Sequence, residues 1–312
     1  MAESYPANID IVYADGDQRL RHNLRAALNH NGYRGIREFS HLDGATGAIR
    51  LAAPDIFLVD GGLSNGSSFE VIENLRHHKL GKNPFLSVIV SCETPNNETV
   101  TKFINSGVDY LVVKPVAPSQ LIQRFKMIAK KRKPFEVTSD YIGPDRSEFM
   151  KGDNGEAGSI IEVPNTVGMK ARREMVSQGE LEELVHAVMG EINVERLRQD
   201  ARQIARLVMR VADLLHEGHT NGRLRADAVR ILAIILDIKQ RLPSTTSSHT
   251  VELCDLLAEL TEKLMSDPES TEDRVLGLLA GLADAIFACI REQEDSDSFA
   301  RQIVGMVRRS TL

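Results

Sequence analysis

The chain has 312 residues, a length that favours two domains over one, and 42% of them are hydrophobic, enough to build aliphatic cores. A formal net charge of -6 argues against a protein whose main task is holding nucleic acid. The 3 cysteines, Cys92, Cys254 and Cys289, are scattered among apolar residues without metal-ligand spacing, which excludes a disulfide framework and a cysteine-based metal centre. Buried free thiols in a reducing cytosol are expected. The first residues lack the basic-then-apolar order of a signal peptide, and no apolar run is long enough to span a bilayer, so a cytoplasmic protein without a membrane partner is expected.

Residues 9–13 read as a strand, and Asp17 is placed to cap a helix that runs through Leu20, Leu24 and Leu28 until Asn31-Gly32 stops it. Gly35–Phe39 is a weaker second strand, followed by a helix over Leu42–Leu51 that ends before Pro54. Ile56–Asp60 is a short apolar run of the kind buried on both faces of a parallel sheet, and it closes on one acid and two glycines. A helix through Val71, Ile72 and Leu75 follows. Residues 85–90 form a fourth strand, residues 96–106 a helix ending at Gly107, and Tyr110–Val113 a fifth strand before Lys114-Pro115. A last helix over residues 119–128 runs into a basic stretch at residues 130–133. Five strand–helix units imply right-handed crossovers and one doubly wound parallel sheet.

Asp15, Asp60, Ser91 and Lys114 each stand at or just past the carboxyl end of an expected strand. Such ends converge on one rim, where ligands and chemistry collect in open α/β sheets. Two acids, a hydroxyl and an ammonium would meet there. Each residue alone has an ordinary explanation: a helix cap, a loop lysine, a strand-end hydroxyl. Together, in the contexts Val-Tyr-Ala-Asp15-Gly-Asp, Leu-Val-Asp60-Gly-Gly-Leu, Ile-Val-Ser91-Cys and Leu-Val-Val-Lys114-Pro-Val, they resemble the receiver domain of two-component response regulators over residues 8–131. The resemblance implies a flavodoxin-like α/β fold. It implies that Asp60 is the phospho-acceptor of a histidine kinase or phosphotransfer protein, that Lys114 pairs with the phosphoryl group, and that Ser91 donates a hydrogen bond to it. It also implies Mg²⁺ held by Asp15, Asp60 and the backbone carbonyl of Gly62. The pattern departs from the family where Gly16 replaces the usual second acid. Asp17, one residue on, is either a substitute ligand or a cap. Leu111 stands in place of the usual strand-five aromatic, with Tyr110 one residue early and therefore on the other face, and Ser64 stands where proline is common. These departures leave open a pseudo-receiver that serves as a docking module.

Residues 132–176 are rich in glycine, proline and charge and read as a flexible linker, with a short strand or docking motif at residues 159–163. Residues 177–312 read as an all-α bundle, with helices over residues 179–191, 193–216, 224–242, 251–265, 271–291 and 296–309. Three features stand out there: the histidines His186 and His219, a stripe of Arg198, Arg202, Arg206 and Arg210, and the small residues around Gly277 and Gly281. The stripe could meet phosphate, an acidic partner or a duplex, which keeps a DNA-binding regulator as an alternative. The helical half shows no converging acid, base or metal set, so a non-enzymatic output through a downstream protein partner, or through a homodimer, is the expectation.

Overall fold

Five short apolar runs form one parallel sheet: β1 (Asp10–Ala14), β2 (Gly35–Phe39), β3 (Ile56–Asp60), β4 (Ser87–Cys92) and β5 (Tyr110–Val113), in the order β2-β1-β3-β4-β5. The structure, a computed structural model, describes residues 8–63, 67–93, 96–147, 158–174, 177–219, 222–242, 248–268 and 273–291. Five helices alternate with the strands: α1 (Gln18–His30), α2 (Leu42–Leu51), α3 (Ser68–Arg76), α4 (Asn97–Ser106) and α5 (Pro118–Lys130). Alternation along each strand divides the core. Ile11, Tyr13, Ile56 and Leu58 pack with α1 and α5, while Val12, Ala14, Phe57 and Val59 pack with α2, α3 and α4. Both faces are buried, which is why these strands read as continuous apolar runs. The strand order reverses between β1 and β3, so the carboxyl ends of those two strands flank the crevice of the sheet.

The segment expected as a flexible linker is corrected by the structure over its described part. β6 (Phe135–Val137), β7 (Ile142–Pro144) and β8 (Ser159–Ile161) form an antiparallel sheet in the order β7-β6-β8, and α6 (Thr166–Ala171) packs on α5. Gly143 and Pro144 lie within β7 and Gly168 within α6, and apolar anchors do the holding. Phe135, Val137, Ile142 and Ile161 are buried, and Val167 joins the α1/α5 side of the core. Asn165 caps α6 by accepting from Gly168 N at 2.9 Å and donates to the Ile128 carbonyl at 2.7 Å. The short strand expected near residue 159 is β8.

Four helices follow: α7 (Gln178–His216), α8 (Gly222–Arg241), α9 (Ser248–Ser266) and α10 (Asp273–Arg291). The two helices expected over residues 179–191 and 193–216 are one, of 39 residues. Met189, Ile192 and Leu197 are all buried, so the apolar stripe continues through Gly190 and Asn193 and outweighs their weak helix propensity. The chain divides into two compact units between Glu191 and Ile192. The second unit has its own aliphatic core, including Leu207, Ile235, Leu257 and Leu282. A Cβ at Gly277 or Gly281 would meet nothing within 4 Å, so these glycines do not mark a close helix approach. The helix expected over residues 296–309 lies outside the described residues. No helix among the described residues is long and apolar enough to cross a membrane.

A buried charge cluster joins α7 to α8. Arg196 Nε lies 3.4 Å from both Asp200 Oδ1 and Asp237 Oδ2, and Arg241 donates to Asp237 at 2.8 Å. Burial, opposed by Arg196, pushes the Asp200 carboxyl up to about 8. A raised folded-state pKa favours the protonated form, so this group's contribution to stability is lost as pH rises from the ordinary carboxylate range through about 8. Asp200→Asn mimics the protonated acid. Its stability advantage over the natural chain is expected to widen between about pH 5 and pH 9 in urea unfolding, and a constant gap would show that Asp200 is not held protonated.

Candidate functional site

Asp15 directly follows β1, where its amide N–H reaches across to the Phe39 carbonyl at 3.1 Å. The carboxylate is buried. Its Oδ1 accepts from the Asp17 amide at 2.8 Å, and its carbonyl accepts from the Arg21 guanidinium. Asp17 behaves differently. It is the N-cap of α1, accepting from Arg19 N at 2.8 Å and Leu20 N at 3.1 Å. Those backbone hydrogen bonds hold its carboxyl below the usual range. Asp17 is thus engaged with the helix end through Oδ1.

Asp60 ends β3 with its side chain 14% exposed, so it is supported by the sheet yet reachable from solvent. Its Oδ1 accepts from Gly62 N at 3.0 Å. Gly61 is required by packing: its amide donates to the Ser91 carbonyl at 2.7 Å, and a Cβ there would stand 2.5 Å from the Phe103 ring. That ring is held by Phe69, with centroids 4.0 Å apart. Ser91 lies opposite Asp60 in the β3–β4 register. Its buried hydroxyl has one long contact, 3.5 Å to the Val59 carbonyl.

Lys114 joins the carboxylates. Its amide N–H is fixed on the Cys92 carbonyl at 2.7 Å, and the Lys114–Pro115 peptide is cis. Nζ lies 2.8 Å from Asp60 Oδ2 and 3.1 Å from Asp15 Oδ2. Burial alone would lower the ammonium pKa, but the hydrogen bond to Asp60 and the charge of Asp15 raise it above the ordinary value. Four residues separated by up to 99 positions in sequence therefore meet as the topology requires. Two neighbours carry no signal at the level of sequence. Burial pushes the Cys92 thiol up, and Asp60 adds to the effect. Tyr13 is buried, and its phenol is raised by burial and then by Asp15. Tyr110 packs on the α5 side, with Arg124 5.0 Å over its ring, and Leu111 packs on the opposite face. Ser64 lies outside the described residues.

The donor set fits Mg²⁺, which keeps several waters and uses one or two carboxylates. Asp15, Asp60 and the Gly62 carbonyl would hold it. Among the described residues no group of three or more His, Cys, Asp or Glu side chains gathers around one point, in keeping with the missing acid at position 16. There is room for one: a Cβ on Gly16 would meet only Leu63 Cδ2, at 3.8 Å.

The features noted in the helical half do not assemble into a second site of this kind. His186 and His219 are exposed, and His219 stands 3.6 Å from Glu217. The arginine stripe is engaged in pairing. Arg198 and Arg202 lie 3.5 and 4.0 Å from Glu195, Arg206 donates to Gln203 at 2.6 Å, and Arg210 grips Asp227 of α8 in a bidentate pair.

Residues 11–126 match the family model described as the response regulator receiver domain. The phosphate regulon transcriptional regulatory protein PhoB of Escherichia coli K12 is 23% identical over 127 residues, covering 41% of this chain and 54% of that protein. PhoB of Klebsiella pneumoniae is 22% identical over 150 residues, covering 46% and 64%. The chain thus spans about half the length of the curated relatives it matches. Among solved structures, the chemotaxis protein CheY4 of Vibrio cholerae is 18% identical, covering 38% of this chain and 96% of that one, with a TM-score of 0.35. The receiver domain of NarL from Mycobacterium tuberculosis is 19% identical, covering 40% and 98%, also with a TM-score of 0.35. Residues 11–126 are a receiver domain of the two-component response regulator family.

Proposed function

We propose that Asp60 accepts a phosphoryl group from a histidine kinase or phosphotransfer protein, and that the helical unit relays the change through protein contacts. The observation that carries this reading is Lys114 Nζ seated 2.8 Å from Asp60 Oδ2 and 3.1 Å from Asp15 Oδ2 at the sheet's topological switch point. An Asp60 oxygen attacks phosphorus, the bond from phosphorus to the donor's leaving atom breaks, and an acyl phosphate forms. Two anions repel each other on approach, so the site's cations decide the rate. Bound Mg²⁺ would neutralise charge on the transferring oxygens. Lys114 supplies the fixed positive charge, and Asp15 keeps it in place. Ser91 is paired weakly in the unphosphorylated site, so its hydroxyl is available to donate to a phosphoryl oxygen. Drawing Ser91 inward shifts the carboxyl end of β4.

The absence of an acid at position 16 favours a second reading, in which the domain docks constitutively and never turns over phosphate. One experiment separates the two. Incubation with acetyl phosphate and Mg²⁺ is expected to add one phosphate mass to the natural chain and none to Asp60→Asn, read by intact mass. No gain in the natural chain at saturating Mg²⁺ sinks the first reading in favour of the second. A gain that persists in Asp60→Asn places the acceptor elsewhere.

A further inference from the structure

A helix that packs on one side in a bundle should be apolar on one side only. α8 is apolar on two. Leu224, Ala228, Ile231, Ile235 and Ile238 are buried in the core of the second unit. The opposite side carries Ala226, Val229, Ala233 and Leu236, all exposed, with Val229 at 50% and Leu236 at 58%. Their spacing alternates three and four residues, which is the seam of a two-stranded coiled coil. Small residues recur at 226 and 233, large ones at 229 and 236. Scattered exposed aliphatics are ordinary, whereas a periodic seam along one helix face is a site for another helix.

The order of small and large residues identifies the occupant. In an isologous contact, residue i meets residue j of the partner and j meets i. An antiparallel crossing that sets Leu236 against the partner's Ala226 also sets Val229 against the partner's Ala233. Every large side chain then meets a small one, twice over, and no second sequence is needed to supply the complement. We infer that the outer face of α8 is a homodimer interface in which two copies of the helix pack antiparallel about a two-fold axis. From Ala226 to Leu236 the seam runs about 15 Å along α8, and small residues at alternate seam positions allow the backbones to approach closely. The interface belongs to the helical unit alone and does not depend on the state of Asp60.

Light scattering on the full chain without a phosphodonor is expected to give twice the chain mass. Leu236→Glu should give the single mass and still melt in one cooperative transition, because the side chain it replaces is 58% exposed and lies outside the core of the unit. Adding Ala226→Lys to Leu236→Glu should restore the dimer, since the two positions face each other twice across the axis. A natural chain that stays at single mass up to about 100 μM overturns the inference. So does a dimer that survives Leu236→Glu, which places the contact elsewhere, or a double variant that remains at single mass. A natural chain that dimerises only after removal of residues 292–312 would place the chain's own end on the seam and overturn it equally.

Discussion

Gly16→Asp is expected to tighten Mg²⁺ binding on the order of tenfold, equivalent to about 1.4 kcal/mol, and to speed phosphorylation of Asp60 by acetyl phosphate at limiting Mg²⁺. Gly16 follows Asp15 on the same rim, and a Cβ there finds only Leu63 Cδ2 at 3.8 Å. The new carboxylate enters open space and displaces nothing. Without metal it adds a like charge beside Asp15 and Asp60, where one ammonium already serves both carboxylates. The variant should therefore melt below the natural chain in chelator and regain or exceed its midpoint in Mg²⁺, because a ligand that binds only the folded state stabilises it by mass action. Calorimetric titration of both proteins with Mg²⁺ gives the affinities directly. Equal affinities would mean that position 16 does not face the metal, and the argument from the missing acid would fail with it.

The rim itself was legible because it rests on a simple alternation of continuous apolar runs with amphipathic helices. Apolar runs with helical segments between them specify a parallel sheet, and the sheet's topology then puts residue 15, residue 60, residue 91 and residue 114 at neighbouring strand ends whatever their separation in sequence. Asp17 shows the limit of that reasoning. A carboxylate at the start of a helix serves equally as cap or ligand in a sequence, and only the hydrogen bonds to Arg19 N and Leu20 N show that Asp17 caps α1. Most of the small sheet after α5, all but β8, was illegible for a different reason. Its strands are three residues long, too short to show alternation. The joining of two expected helices into α7 failed on local propensity, since Gly190 and Asn193 look like a stop until the burial of Ile192 is known.

Beside its apolar anchors the small sheet rests on Arg76, and Arg76→Met is expected to cost about 3–5 kcal/mol of stability in the first unit, as removal of one partner from a buried ion pair does. The side chain is fully buried at the end of α3. Its guanidinium donates to the Gly107 carbonyl at 2.8 Å, to the Pro84 and Leu86 carbonyls at 2.7 and 2.8 Å, and to Asp109 Oδ2 at 2.9 Å. Burial draws its pKa down to about 10, partly offset by Asp109, so it stays charged at neutral pH. Arg132 lies 3.3 Å from Asp109 Oδ1, and both guanidiniums stack on the Phe135 ring of β6, at 5.1 and 5.3 Å. Methionine fills the volume and supplies none of the four hydrogen bonds, which takes the Arg76 donor from the Gly107 and Pro84 carbonyls, leaves Leu86 with only the longer 3.3 Å contact from Arg132, and leaves Asp109 with one cation. Arg76→Lys keeps the charge but cannot direct donors along four lines from a planar fork, and should recover only part of the loss. Gly107 fixes the geometry from the other side: its φ is +95°, and a Cβ there would stand 2.8 Å from Arg76 Cγ. Urea unfolding measures the loss, and hydrogen exchange locates it, with the amides of β6 and β7 losing protection before those of β1 and β3. A cost below about 1 kcal/mol, the level of an exposed ion pair, would show that the hub is replaceable packing and that the small sheet is held by its apolar residues alone.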